Sequence, residues 1–448
     1  MKNNFDFDRK KIISKIKKYT KKLDTKSVDY CASSHLYFSS QESTLCHSKI
    51  NNWLKKKNSL FLYIISLFKN LLSISFFSEP KLINNNSNLD YDYIVKTWGK
   101  KNNFKKNGSL DDRYFKINSR KYKKILWLVI YLDDNLPRKI DNNIFIIQRK
   151  KNKFPNIIFL INYFFKNLIN CRLNILKLFH SLSSQTCYAY QNLKLIKPIF
   201  KKYKIKNVIM PYEGQPFQNL IFYEVKKINQ DIRTVGYVAY THPFQTELLN
   251  RNGAPDQIFI YSPDQLNFFK KLNWDKNDIK LIPSLNYKRG LKIKKQLRKK
   301  IFFPYKINNK RKIILSIKNL NHKLGNDILK KFIVAMHPSP DSKTEQVKLK
   351  ESILKILRTK TKNKNNSSYF SKDTIIVLGL STTIFLALEN NLNVLHVSLD
   401  PFRDKLSKNI WPSVMINQIS KDIFLYSLRK KNNCILMKNE NKFKELLN

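Results

Sequence analysis

The sequence is short of glycine and of acid. Eight glycines and five methionines stand in 448 residues, and 32 Asp and Glu face 85 Lys and Arg, for a formal charge of +53. So few glycines leave little room for glycine-rich phosphate loops, and neither GxGxxG nor a P-loop occurs. GxSxG and HExxH are missing too, which removes the nucleophile elbow and the helical zinc-protease signature. The five cysteines, Cys31, Cys46, Cys171, Cys187 and Cys434, are scattered, odd in number and never spaced as CxxC. That argues against a disulfide framework or a structural zinc and for a reducing, cytoplasmic setting. Met1 to Lys22 is charged throughout, unlike a secretory signal.

Apolar residues make up 42% of the chain and aromatics 13%, enough to bury real cores, and the length favours two domains. Lys, Asn, Ile and Phe are abundant together, as AT-rich coding produces, so the charge is read first as compositional. A surface this positive still attracts nucleotides, acidic polysaccharide, RNA and anionic headgroups. RNA-binding motifs are missing, so no specific nucleic-acid partner is expected. Leu60 to Phe77 is apolar for about a membrane-spanning length, but Lys69, Asn70 and three serines interrupt it. It reads as a buried or interfacial helix, and with the Lys55-Lys56-Lys57 flank it suggests peripheral contact with the inner membrane surface.

Residues 1–118 form a basic segment with little periodicity beyond that helix, and Lys81–Asn88 reads as a loop. From Ile125 the texture changes. Ile125–Leu132, Asn143–Ile147, Asn207–Pro211, Thr234–Ala239, Gln257–Tyr261 and Leu281–Leu285 read as strands, with helices at Ile157–Phe179, Asn192–Tyr203, Phe217–Ile228 and after Ser262-Pro263-Asp264. That alternation predicts a parallel, doubly wound sheet over 119–295. A Lys/Arg-dense stretch, 288–312, is taken as the boundary. A second alternation over 305–448 predicts strands Lys312–Ile317, Phe332–Met336, Thr374–Leu378 and Asn393–Val397, with helices Glu345–Leu357 and Ser381–Asn390. The fold class is α/β, with two Rossmann-like domains facing across a cleft and a basic, mostly helical N-terminal extension.

Two motifs stand at predicted strand ends, where open α/β sheets bind ligands. In the first, an apolar strand ends at Gly379 and Ser381-Thr382-Thr383 open a helix, offering N–H and hydroxyl donors to a phosphate. Simple capping by Ser381 explains the same residues. In the second, a strand delivers His337-Pro338; proline biases His337 away from helix, and imidazole can donate to a phosphate oxygen.

The order strand-His-Pro, helix, strand-Gly-x-Ser-Thr-Thr resembles the donor domain of bacterial GT-B glycosyltransferases that use CMP-activated acidic sugars, the sialyl-, polysialyl- and Kdo-transferases. Pro211-Tyr-Glu-Gly-Gln-Pro216, His242-Pro243, Pro255-Asp256 and Pro283-Ser-Leu-Asn-Tyr287 are similar to the N-terminal domain of that group, and the likeness covers about 190–400.

The resemblance implies a Leloir-type enzyme that moves a Kdo- or sialic-acid-like sugar from a CMP-linked donor to a glycan or lipid-linked acceptor of surface polysaccharide. It needs no cofactor beyond the nucleotide-sugar. His337, Pro338, Ser381, Thr382 and Thr383 would hold the donor, with Glu389 as a ribose candidate that could equally pack. Glu213, at the acidic-Gly position, would be base or acid/base. His242 is a second catalytic candidate, and Gln215 and Arg251 are candidates for acceptor or sugar binding. Asp133-Asp134 reads as a turn, no Asp-x-Asp stands at a strand end, and no metal is expected. Rivals are another GT-B donor, transfer of a polyol phosphate from a CDP-linked donor, a polyanion-binding protein and a membrane-peripheral assembly protein.

Overall fold

The computed structural model describes residues 78–83, 90–170, 184–307, 309–324, 326–338, 342–358, 373–400, 403–429, 433–437 and 442–447, with isolated positions among 9–76. The expected helix at 60–77 and the ends of several loops lie outside these residues, as do Cys31, Cys46 and Cys171.

The described chain is α/β with two sheets. The first has the strands β1 Lys81–Ile83, β2 Tyr93–Gly99, β3 Ile125–Tyr131, β4 Ile144–Gln148, β5 Asn207–Pro211, β6 Arg233–Tyr237, β7 Gln257–Ile260 and β8 Ile279–Leu281, ordered β1-β4-β3-β2-β5-β6-β7-β8. All neighbours are parallel except β1, which adds antiparallel to β4 at the edge. Parallel strands covered on both faces need unbroken apolar runs, and β3, β4 and β5 are buried along their whole length. Chain order reverses between β2 and β5. That reversal is the sheet's switch point, where a crevice opens at the carboxyl ends.

Two expectations fail here. The sheet starts well before residue 119, because β2 from the basic segment is its central strand, and Lys81–Ile83 is a strand rather than a loop. The helices over this sheet are α1 Ile157–Asn170, α2 Ser184–Lys202, α3 Pro216–Ile228 and α4 Leu266–Lys271.

The second sheet has β9 Lys300–Phe302, β10 Ile333–Ala335, β11 Thr374–Leu378, β12 Asn393–Val397, β13 Val414–Ser420 and β14 Ile423–Leu428, ordered β10-β9-β11-β12-β14-β13. The first four are parallel and β14 and β13 close the sheet as an antiparallel hairpin. Its switch point lies between β9 and β11. The basic stretch taken as a linker holds helix α5 Leu291–Leu297 and β9 itself. Lys312–Ile317 is no strand: it belongs to helix α6 Lys310–Leu324, whose Ile313, Ile317 and Leu320 bury one face at helical spacing while Leu315 is exposed. Helices α7 Asn326–Leu329, α8 Lys343–Arg358 and α9 Thr383–Glu389 complete this half.

The halves share packing as well as a connection. One apolar cluster runs from β3 and β5 through Ile384, Phe385 and Leu388 of α9 to Trp411, and a separate cluster fills the other face of the second sheet. Trp411 packs tilted against Phe385, the ring centres 4.2 Å apart, and donates its indole N–H to Pro243 O at 3.1 Å. Asp264 accepts from the Ser413 N–H and hydroxyl at 3.0 and 2.7 Å. The C-terminal residues return to the first half: Leu436 N–H donates to Tyr261 O at 2.7 Å, and the Phe443 ring lies 5.2 Å from that of Phe115. Residues 433–437 and 442–447 therefore pack against the first half as well as the second.

Candidate functional site

The Glu213 turn sits at the first switch point. β5 ends at Pro211, and α3 starts at Pro216, so the four residues between strand and helix must reverse direction with few internal hydrogen bonds. Buried Gln218 supplies them: its side-chain oxygen accepts from the N–H groups of Glu213 and Gln215, both at 3.0 Å, and its amide donates to Pro211 O. This is the reach-back of an N3 glutamine in a helix cap. Gly214 has φ +66°, and a Cβ there would stand 2.0 Å from Glu247 O. Only glycine lets the 213–215 turn press against the 246–248 loop. Gly236 serves the same packing from β6, since a Cβ on it would meet Tyr212 at 2.9 Å. Gly290 meets nothing within 4 Å, so scarcity alone does not mark a required glycine.

The turn holds one carboxylate. Gln215 donates its side-chain N–H to Glu213 Oε2 at 2.6 Å, and Oε1 receives no hydrogen bond among the described residues. Burial raises the Glu213 carboxyl above its usual range, and the Gln215 bond opposes this. A raised carboxyl is a better proton acceptor once ionised, which suits a general base or acid/base. Gln215 therefore orients Glu213. Arg251 sits behind the turn: with the Asn219 amide nitrogen facing Tyr212 OH and Gly253 O, its oxygen accepts from the Arg251 guanidinium. Arg251 thereby braces the scaffold behind the turn.

Facing Glu213 is a loop that the sequence did not flag. Between β2 and β3, buried Asp112 accepts from Thr97 Oγ1 at 2.5 Å and from the N–H groups of Tyr114 and Phe115 at 2.8 and 2.6 Å. Burial still pushes its carboxyl up to about 6. The anchored loop presents Tyr114, whose phenol is raised by burial and by the nearby Glu213 charge. Tyr114 packs 5.7 Å from Tyr240, and Arg113 lies 5.4 Å over the Tyr114 ring and beside Tyr240. Asn286 ties this loop to the next strand ends, donating to Tyr114 O at 3.1 Å and Ala239 O at 3.4 Å. Burial and then the charges of Arg113 and Lys288 lower the Lys116 ammonium, so three cations gather at this edge. No short motif announces such a cluster; topology assembles it.

The second switch point faces the same space. Tyr287, beyond β8, is buried near Tyr240 and, across the halves, near Thr382, and its hydroxyl has no hydrogen-bond partner among the described residues. Tyr287, Tyr240 and Tyr114 thus form a row of neighbouring phenols between Thr382 and Glu213. Ser381 and Thr383 are half-buried, and Ser381 Oγ accepts from the Thr383 N–H at 3.2 Å. The N-cap position is Thr382, which makes no side-chain cap bond, so Ser381 does not cap the helix, and α9 is only seven residues long, which weakens its dipole.

His337 follows β10 with its N–H donated to Gln346 Oε1 at 2.8 Å, while Gln346 donates to Pro304 O at 2.8 Å, so one buried glutamine clamps two loops at the sheet's carboxyl edge. The His337 ring meets Tyr305 edge-on at 5.5 Å, and Pro338 is exposed. β10 and β11 are separated only by β9, so His337 and Ser381 leave the same edge about 10 Å apart in strand spacing.

Two candidates lie elsewhere. Glu389 is fully buried at the far end of α9, spent on an ion pair with Arg289 and on the Ile435 N–H at 2.8 Å, so it cannot serve a ribose. No hydrogen bond joins His242 to Glu213 among the described residues. Burial, aided by Arg403 of the second half, lowers its imidazole to about 4, and its buried Nδ1 has no hydrogen-bond partner among the described residues. Asp133-Asp134 forms a bend whose carbonyls accept from Gln148. Among the described residues no group of three or more His, Cys, Asp or Glu could hold a metal.

No protein-family model matches the chain, and no curated protein matches its sequence.

Proposed function

We propose that the chain is a glycosyltransferase with two Rossmann-like halves across a cleft. It moves a Kdo- or sialic-acid-like sugar from a CMP-linked donor to a glycan or lipid-linked acceptor of surface-carbohydrate assembly, on the cytoplasmic side of the membrane. The observation that supports this reading is the nearness of two switch points: a row of neighbouring phenols, Tyr114, Tyr240 and Tyr287, lies between the Glu213 turn and the Ser381–Thr383 segment. Each switch point is the place where an open α/β sheet binds ligand, and two facing each other suit a two-substrate transfer.

In this reading His337 and the hydroxyls of Thr382 and Thr383 donate to the phosphate oxygens as charge builds on departing CMP. Glu213 Oε1 takes the proton of the acceptor hydroxyl as the new glycosidic bond forms and the sugar–phosphate bond breaks. Arg113, Lys116 and Lys288 neutralise the carboxylate of an acidic sugar at the same edge. The test is donor turnover: purified protein should release CMP from CMP-Kdo or CMP-sialic acid faster than it releases UDP or GDP from their sugars. Release confined to UDP- or GDP-sugars, or to a CDP-linked polyol, would replace the donor. Release from none, with tight binding to one RNA at physiological salt, would replace the class.

A further inference from the structure

Helix α1 has an apolar face turned to solvent. Ile158, Ile161, Phe165 and Ile169 recur at spacings of three, four and four and are 75%, 50%, 56% and 74% exposed. Ile157 beside them and Phe154 just before are 62% and 79% exposed. The opposite face is fixed: Asn167 is buried and bonds Tyr163 O at 2.6 Å, and Tyr163 reaches Cys187 on α2. The helix start is pinned as well, with Asn156 Oδ1 accepting from the Phe159 N–H at 2.9 Å and the Asn156 N–H donating to Ser75 O at 2.8 Å. α1 is thus a docked helix with a whole apolar stripe left outward, far beyond the scattered exposure of an ordinary surface.

Charge identifies what covers it. Exposed Lys150, Lys151 and Lys153 precede the helix and Lys166 lies on its outer side, in a chain of formal charge +53. Basic residues flanking an apolar helical stripe are what an anionic lipid surface takes up, with the helix lying in the interface plane. A second protein copy presenting the same lysines would repel this face. No helix of the described residues is long and apolar enough to cross a membrane. The position fits too. The chain enters α1 from the carboxyl end of β4, the edge on which Glu213 stands.

We infer that α1 seats the protein on an anionic membrane through Ile158, Ile161, Phe165 and Ile169, with Lys150, Lys151 and Lys153 on the headgroups. The inference deepens the proposed function by naming the surface that would meet a lipid-linked acceptor, yet its test stands apart from turnover.

The full chain should co-sediment with phosphatidylcholine vesicles containing phosphatidylglycerol, and much less with phosphatidylcholine alone. Ile161→Asp with Phe165→Asp should lower partitioning at least about tenfold. Both side chains are exposed, so circular dichroism should not change. Lys150→Gln with Lys151→Gln and Lys153→Gln should weaken binding severalfold and flatten its salt dependence, while Lys270→Gln with Lys271→Gln, of nearly equal charge loss on α4, should not. CMP affinity should be untouched in all three, so loss of CMP binding would speak against the transferase reading and not against this one. Vesicle binding that survives Ile161→Asp with Phe165→Asp would overturn the inference. So would a dimer that these substitutions dissociate in a protein indifferent to vesicles.

Discussion

The two switch points are built by opposite means. At the first, the Glu213 turn is finished before any ligand arrives: Gln218 satisfies its backbone, Gly214 locks it against Glu247, and Gln215 aims the carboxylate. At the second, the groups are looser. Pro338 is exposed, His337 donates its backbone N–H to Gln346, and α9 is a short helix whose first hydroxyl contact is local. A proton-transfer group needs fixed geometry and a tuned environment, whereas a nucleotide site can be completed by the nucleotide. In the proposed reading, the contrast is that of a preformed acid/base edge and a donor edge that the nucleotide completes.

The sharpest way to break this comparison is at glycine. Gly214→Ala should cost at least about 3 kcal/mol in urea unfolding, because its Cβ would run into backbone at an already left-handed φ. A cost near zero would mean that the turn is pliable and the contrast false.

A smaller effect separates the two buried titrating groups by sign. Asp112 has a raised folded pKa, so its contribution is fully present below 3.8 and is lost as pH rises through about 6. His242 has a lowered one, so its contribution is present above 6.5 and is lost as pH falls through about 4. In unfolding measured from pH 4 to 7, Asp112→Asn should steepen the rise of stability with pH and His242→Gln should flatten it, each by roughly 1–3 kcal/mol across the window. Equal slopes in both variants would remove the burial assigned to these groups.

The smallest effects are again at glycine. Gly379→Ala, at φ +64° but against the movable Leu399 side chain, should cost about 1 kcal/mol, and Gly290→Ala should be silent.

Strands with unbroken apolar runs were legible in the sequence: Asn207–Pro211, Thr374–Leu378 and Asn393–Val397 fall where the pattern puts them. β2 was not, because buried Lys96 and Thr97 interrupt its run, the lysine lying 4.0 Å from the centre of the Phe217 ring. β9 hid inside a lysine-rich stretch because three residues suffice when neighbours on both sides supply the pairing. Lys312–Ile317 misled because four apolar residues in six fit a strand or a helix until the next turn is counted.

At the site, Glu213 and Ser381–Thr383 were visible because strand ends and turn residues are local. Gln218, Tyr114, Tyr240, Tyr287 and Gln346 were not, since each acts on a partner brought by topology. Glu389 looked like a ligand in one dimension, and the Arg289 pair that occupies it comes from 100 residues away.

The central claim is that catalysis and donor binding reside on opposite edges of one cleft, and paired variants read it directly. Product formation with a matched acceptor and CMP affinity by calorimetry should be measured for Glu213→Gln and His337→Ala. The account predicts that Glu213→Gln loses about a hundredfold or more in turnover with CMP affinity barely changed. His337→Ala should lose CMP affinity with little change in melting temperature. Near-normal turnover in Glu213→Gln, or equal loss of CMP affinity in both variants, would contradict it.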